Sequence, residues 1–326
     1  MRNFAREFTR FIFVLALFML AMDVPADGGD TNKTSVTNAV IKQKAGKGAD
    51  AAWVFLSKHL PGGPRPVVIF MHGYRALDPY DYGGWIDHLV RRGDVVIYPV
   101  YEKTRRDNRE QLLKQAAAGI HNALNYLKAQ NIPLDNTHIA TVGHSLGGGM
   151  TVLLATRGAK LNLPVLCAIM PVQPGSKGGQ GFPYEVFAEL PHSLKVLVVD
   201  GDSDQFKDSR FGARINPAAS QVTAANKGYF ILQSSKDSSP PLIADHYAPL
   251  SPDANYRLEP RSRWKKRREK FVKKILSIRD GEVDALDTQA LWPMFDALLE
   301  NACNNPQGLE LLIHSTEIDW QLLKKQ

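Results

Sequence analysis

The chain has 326 residues, of which 44% are apolar and 22% charged, and its formal net charge is +7. Such a length is a prior for one large domain or two modest ones, and apolar content this high, interspersed with charge, excludes a wholly disordered chain. The two cysteines, Cys167 and Cys303, are too widely separated in sequence to read as a metal-ligand pair.

The amino terminus stands apart from the rest. Arg2, Arg6 and Arg10 precede an uninterrupted apolar run of 12 residues, Phe11 to Met22, followed by Val24-Pro25-Ala26. A basic start, an apolar stretch and small residues at the end form the pattern of a secretory signal, and the run is short of the ~20 residues a membrane-spanning helix needs. Residues 1–26 are therefore expected to be a signal peptide on an exported protein, secreted or periplasmic, with an uncleaved membrane anchor as the alternative. Residues 27–49 open on a polar stretch and are expected to be a flexible leader.

From residue 50 the chain alternates short apolar runs with longer amphipathic ones. Val67–Met71, Val95–Val100, His138–Val142, Val165–Val172, Lys195–Asp200 and Tyr229–Leu232 are short and rich in branched side chains. Several are apolar on both faces, as strands covered by helices on either side must be. Helical patterns lie between them, at Asn108–Gln130 and Leu146–Gly158. Strands alternating with helices imply an α/β fold with a mostly parallel central sheet and helices on both faces. Pro171–Pro183 is rich in Gly and Pro and reads as a loop after a strand, where substrate-contacting loops lie in open sheets of this kind. Cys167 sits inside an apolar run, where a small buried hydrophobe is the ordinary reading, so no bridge to Cys303 is expected.

Basic residues crowd Arg257–Lys274. They read as the wet face of an amphipathic helix, since Trp264, Phe271, Val272 and Ile275 fall on one helical stripe. Peripheral contact with an anionic membrane through 257–274 is the functional alternative, and no nucleic-acid module accompanies the patch. Residues 279–326, with a further helical pattern at Ala285–Ala302, are expected to form a C-terminal helical extension.

The strongest chemical signal is Gly143-His144-Ser145-Leu146-Gly147, directly after one strand pattern and directly before a helical one. A serine on a tight strand-to-helix turn is forced outward, flanking glycines permit the crowded backbone, and the helix that follows offers free N–H groups to a developing oxyanion. Ser145 is thus a candidate nucleophile.

Here the sequence resembles the α/β-hydrolase superfamily over roughly residues 50–278. Besides the serine pentapeptide it carries His72-Gly73-Tyr74 after Val67–Met71, and Ala244-Asp245-His246-Tyr247-Ala248-Pro249, which is similar to the His-aromatic segment of cutinase-like polyester hydrolases and related carboxylesterases. The resemblance implies the order nucleophile, acid, histidine. Two histidines follow both Ser145 and the aspartate run 200–204, namely His246 and His314; the match to the family segment favours His246. Among Asp200, Asp202 and Asp204, the family spacing after Gly201 favours Asp204. It further implies an oxyanion hole from the N–H groups of Tyr74 and Leu146, and a substrate pocket lined by Tyr74, Val172, Gln173 and Tyr247. The implied activity is hydrolysis of a small-molecule or lipid carboxylic ester through an acyl-enzyme. A peptidase or amidase of the same fold, and a non-catalytic binding module that kept it, are the alternatives. One departure is that Met170-Pro171-Val172-Gln173 lacks the aromatic residue those polyester hydrolases often carry there. No phosphate-cradling loop or metal-ligand spacing is present, so no cofactor and no metal are expected.

Overall fold

The computed structural model describes residues 40–59, 62–175, 185–206, 211–259, 280–303, 309 and 318–326. The signal pattern 1–26, His314 and the basic segment beyond Glu259 lie outside the described residues. Among those described, no helix is long and apolar enough to cross a membrane.

Nine described strands form one sheet: β1 (Val40–Ala45), β2 (Ala52–Ser57), β3 (Arg65–Met71), β4 (Val95–Pro99), β5 (Leu134–His144), β6 (Ala168–Val172), β7 (Lys195–Gly201), β8 (Lys227–Leu232) and β9 (Leu323–Lys325). Their spatial order is β1-β2-β4-β3-β5-β6-β7-β8-β9. The six central strands, β4 to β8 in that order, run parallel, while β1, β2 and β9 pair antiparallel at the edges. This is the mostly parallel sheet that the alternating runs imply.

The reason those runs are apolar on both faces is visible in β3. Val68 and Phe70 point into one core cluster with Trp85, Ile86 and Leu89 of helix α1 (Gly83–Arg92). Val67, Ile69 and Met71 point into the other, with Leu112, Ala116 and Ile120 of α2 (Arg109–Ala129) and Met150 of α3 (Leu146–Arg157). A strand between two helical layers needs an apolar side chain at every position rather than at alternate ones. Local signals set the helix ends. Asn108 caps α2 by accepting from Gln111 N–H at 2.9 Å, and Gln111 returns the bond to Asn108 N–H at 2.8 Å. Gly93, at φ 108°, ends α1 in the left-handed conformation that glycine adopts without strain.

Three expectations require correction. The leader expected over 27–49 contains β1, whose six residues pair with β2 from Val40↔Ser57 to Ala45↔Ala52. Its sequence, Val-Ile-Lys-Gln-Lys-Ala, is that of an edge strand, exposed enough to carry lysines that discourage further pairing. The C-terminal extension expected over 279–326 is part of the same core. A π-helical turn at Asp287–Leu291, the α-helix Trp292–Ala297 and a second π-helical turn at Leu298–Ala302 cover the α1 face of the sheet. Leu286, Leu291, Met294, Phe295 and Leu298 are buried there with Trp85. Beyond them β9 pairs with β8, so that β8 is not left as an edge. Third, Cys167 and Cys303 form a disulfide with a Cα–Cα distance of 5.2 Å. An apolar neighbourhood says that Cys167 is sheltered; it does not say that the end of a later helix lies beside it.

Candidate active site

The serine turn is built as its glycines require. Ser145 follows β5 and stands at the N-cap position of α3 at φ 56° and ψ −121°, a sparsely populated conformation for a residue with a side chain. A Cβ on Gly147 would run into the Met71 carbonyl, and one on Gly143 into the Gly147 carbonyl, so both positions demand glycine. The strain is held by hydrogen bonds: Ser145 N–H donates to Val172 O at 3.0 Å, and Gly175 N–H donates to Ser145 O at 2.8 Å. Such over-determination is what keeps a strained residue in place.

Two loops at the carboxyl ends of neighbouring strands reach this serine. Asp204 follows β7 and His246 follows β8. His246 Nε2 stands 2.9 Å from Ser145 Oγ, and its Nδ1 stands 3.0 Å from Asp204 Oδ2. An ionised carboxylate can only accept, so the imidazole proton belongs on Nδ1 and Nε2 is left to receive the serine proton. Asp204 is buried, and its other oxygen accepts from Phe206 N–H at 2.8 Å, which fixes the carboxylate plane. The two competing aspartates point elsewhere. Asp200 accepts from the Tyr229 hydroxyl at 2.9 Å, and Asp202 accepts from Ser234 N–H at 2.8 Å and from the Ser234 hydroxyl at 2.6 Å.

The third loop, His72-Gly73-Tyr74, follows β3. His72 is fully buried, with Nδ1 2.7 Å from Gly73 O and Nε2 3.0 Å from Val100 O. Burial holds its imidazole below the usual histidine range, at about 4, against the opposing effect of these two carbonyls. Leu146 is the first residue of α3, where a backbone N–H has no acceptor within the helix. Tyr74 is 46% exposed, and so is Phe206 at 53%; the Phe206 ring lies 5.0 Å from the His246 ring. Phe206 is a site residue that sequence reasoning did not single out, although it stands only two places after Asp204.

Of the residues expected to line a pocket, Val172 and Gln173 do not face solvent: they are 0% and 1% exposed. A side chain that water cannot reach cannot line an open pocket. Val172 sits in the core and lends its carbonyl to Ser145, while Gln173 Nε2 donates to Asp245 O at 2.7 Å and so grips the loop that carries His246. Tyr247 is also buried, with its ring 6.0 Å from that of His246, and burial raises its phenol above the usual range. Among the described residues no group of three or more His, Cys, Asp or Glu is arranged to hold a metal ion.

A parallel sheet of this order, with a serine elbow after β5 and site loops after β7 and β8, defines an α/β-hydrolase. The family model described as Chlorophyllase matches residues 30–200, more than half of the chain. The chain therefore belongs to the Chlorophyllase family, which makes it an esterase-type hydrolase. The match runs from residue 30 into β7 and includes Ser145; Asp204 and His246 both lie beyond it. No curated protein matches the chain.

Proposed function

We propose that this protein is an exported serine hydrolase that cleaves carboxylic esters through an acyl-enzyme on Ser145. The observation that carries the reading is the continuous hydrogen-bonded line from Asp204 through His246 to Ser145 Oγ, with 3.0 Å and 2.9 Å separations. A serine hydroxyl is a weak nucleophile until a base within hydrogen-bond reach takes its proton.

His246 Nε2 accepts that proton as Ser145 Oγ attacks the ester carbonyl carbon, and Asp204 stabilises the imidazolium that forms. The carbonyl oxygen, now negative, takes hydrogen bonds from the backbone N–H groups of Tyr74 and Leu146. The Tyr74 N–H belongs to the peptide whose carbonyl meets His72 Nδ1, which restrains its orientation. Collapse expels the alcohol, protonated by His246, and leaves the acyl group on Ser145. Water, deprotonated by the same imidazole, then releases the acid and restores the serine. The exposed Phe206 ring beside His246, with the exposed Tyr74 on the oxyanion loop, favours an ester with an apolar acyl or alcohol group. Export is supported by the basic-apolar-small pattern of residues 1–26 and by the Cys167–Cys303 bridge, which an oxidising compartment preserves.

The test uses the chain without residues 1–26, incubated with p-nitrophenyl esters from acetate to palmitate and with chlorophyll, the substrate that the family's description names. Ser145→Ala and His246→Ala are each expected to lower kcat/KM by about 10⁴-fold or more while the folded state persists. Absence of turnover on every ester, together with no labelling of Ser145 by a fluorophosphonate, would sink the reading in favour of a binding module.

A further inference from the structure

Behind the serine lies a buried polar pair that the mechanism above does not use. Tyr82 is 1% exposed and His144 is 4% exposed, and the Tyr82 hydroxyl stands 2.9 Å from His144 Nδ1. The same hydroxyl oxygen accepts from Gly73 N–H at 2.9 Å. The backbone amide can only donate, so the phenol must accept there, and its single proton is left for His144 Nδ1. With Nδ1 accepting, a neutral His144 carries its own proton on Nε2. Among the described residues Nε2, although buried, has no hydrogen-bond partner, so the His144 side chain reaches the far side of the site by ring contact alone. Its ring centroid lies 4.8 Å from that of His246. Burial pushes the His144 imidazole well below its usual range, with the neighbouring His246 adding to that effect, and burial raises the Tyr82 phenol.

The convergence is tight. A Cβ placed on Gly73 would lie 2.9 Å from the Tyr82 hydroxyl, 3.5 Å from His144 Nδ1 and 3.6 Å from Ser145 Cβ. Gly73 precedes Tyr74 in the loop that offers the oxyanion N–H. Gln173, on the other side, holds Asp245 next to His246 through its 2.7 Å bond. One chain of hydrogen bonds and close contacts thus runs from the oxyanion loop, through Tyr82 and His144, to the loop that carries the base. The direction of its Gly73–Tyr82–His144 stretch is set by donors and acceptors that cannot exchange roles without breaking a bond.

We propose that Tyr82 and His144 are positioning residues, which together hold the oxyanion loop and the His246 loop in register across Ser145. The proposal rests on the serine-esterase reading above. Neither side chain touches substrate in it. Both act by fixing where the Gly73–Tyr74 peptide and the His246 ring stand, and displacements of about 1 Å in such groups cost up to roughly 100-fold in rate.

The experiment begins with wild-type protein and Ser145→Ala on p-nitrophenyl butyrate. If hydrolysis or fluorophosphonate labelling survives in Ser145→Ala, the esterase reading itself is at fault. Where wild type is active and Ser145-dependent, Tyr82→Phe is the decisive variant, because it keeps the ring that packs 5.0 Å from Phe70 and removes only the hydroxyl. We expect kcat to fall roughly 10- to 100-fold with KM within about twofold. Unchanged kcat in a folded Tyr82→Phe would overturn the proposal. A second measurement does not depend on that variant folding: ¹⁵N spectra of histidine-labelled wild type should show His144 in the Nε2–H tautomer, and an Nδ1–H tautomer would overturn the proposal equally. Rescue separates positioning from bulk packing. His144→Asn puts an amide oxygen where Nδ1 stands and should retain more of kcat than His144→Leu, whereas equal losses would count against the pair.

Discussion

The two edges of the central sheet solve the problem of buried polar groups in opposite ways. At the carboxyl edge, around Ser145, three buried groups beside the Asp204 carboxylate are held uncharged: His72 at about 4, His144 well below its usual range and the Tyr82 phenol raised. Orientation there is carried by single protons with fixed donors. At the amino edge, charges and a covalent bond take over. Arg92 reaches Glu300 at 2.7 Å and also pairs with Asp296, His88 reaches Asp296 at 2.7 Å, and Cys167, just before β6, is bridged to Cys303. These contacts fasten the C-terminal helical run to α1 and to the sheet. The difference teaches that rate and stability should be separable in this molecule: changes at one edge should alter turnover, and changes at the other should alter the temperature at which the fold is lost.

The sharpest contrast at the carboxyl edge is between aspartates. Asp204→Asn keeps the shape of the side chain but offers an amide to His246 Nδ1, which favours the wrong tautomer, and should lower kcat by about 10³- to 10⁴-fold. Asp202→Asn, two residues away, loosens the bonds to Ser234 and should keep kcat within a fewfold of wild type. Equal losses in the two variants, measured on one ester at matched folded fraction, would break the assignment of the acid.

At the amino edge, the covalent bond has the larger expected effect. The Cys167–Cys303 bridge spans 136 residues of sequence. Cross-links that close loops of that length stabilise by about 2–5 kcal/mol, largely by restricting the unfolded chain. Replacing both cysteines with serine should therefore lower the thermal midpoint by several degrees while leaving kcat at room temperature within about twofold. A large loss of kcat in a folded double variant would show that the two edges are coupled after all.

The same division explains what could be read from sequence. Ser145 was legible because a strained elbow needs glycine at 143 and 147 and a strand ahead of it, and each requirement leaves a mark within five residues. His246 and Asp204 were singled out over His314, Asp200 and Asp202 by the resemblance to the family's segments, and the structure brings these two to Ser145. The helices announced themselves through their apolar periodicity, and the six parallel strands through short runs of branched apolar residues, several apolar on both faces. β1 did not, because an edge strand with lysines on it reads as a polar leader. β9 did not, because three residues carry no period. The burial of Val172 and Gln173, the disulfide, and the Tyr82–His144 bond across 62 residues all depend on which distant segments meet, and no local pattern encodes that.

A pH-dependent effect of similar size to the bridge's concerns Asp94, which stands just before β4 with its carboxylate 3.7 Å from Arg92. Burial raises its carboxyl from 3.8 to about 7; Arg92 opposes the shift, while Asp296 and Glu300, which share that arginine, add to it. The sign follows from proton binding. Between pH ~4 and ~7 the folded protein holds a proton on Asp94 that the unfolded chain has released, so the stability linked to this group is complete below pH ~4 and is lost as pH rises through ~7. One pKa unit corresponds to about 1.4 kcal/mol, so the loss is on the order of a few kcal/mol. Asp94→Asn, which cannot ionise, should be more stable than wild type at pH 8 and nearly equal to it at pH 4, as read from urea midpoints across that range. Its kcat should match wild type throughout, because the group lies at the edge that holds the fold together and not at the edge that holds Ser145. Parallel pH profiles of stability for variant and wild type would mean that Arg92 already neutralises Asp94, and that this edge is built from ordinary ion pairs alone.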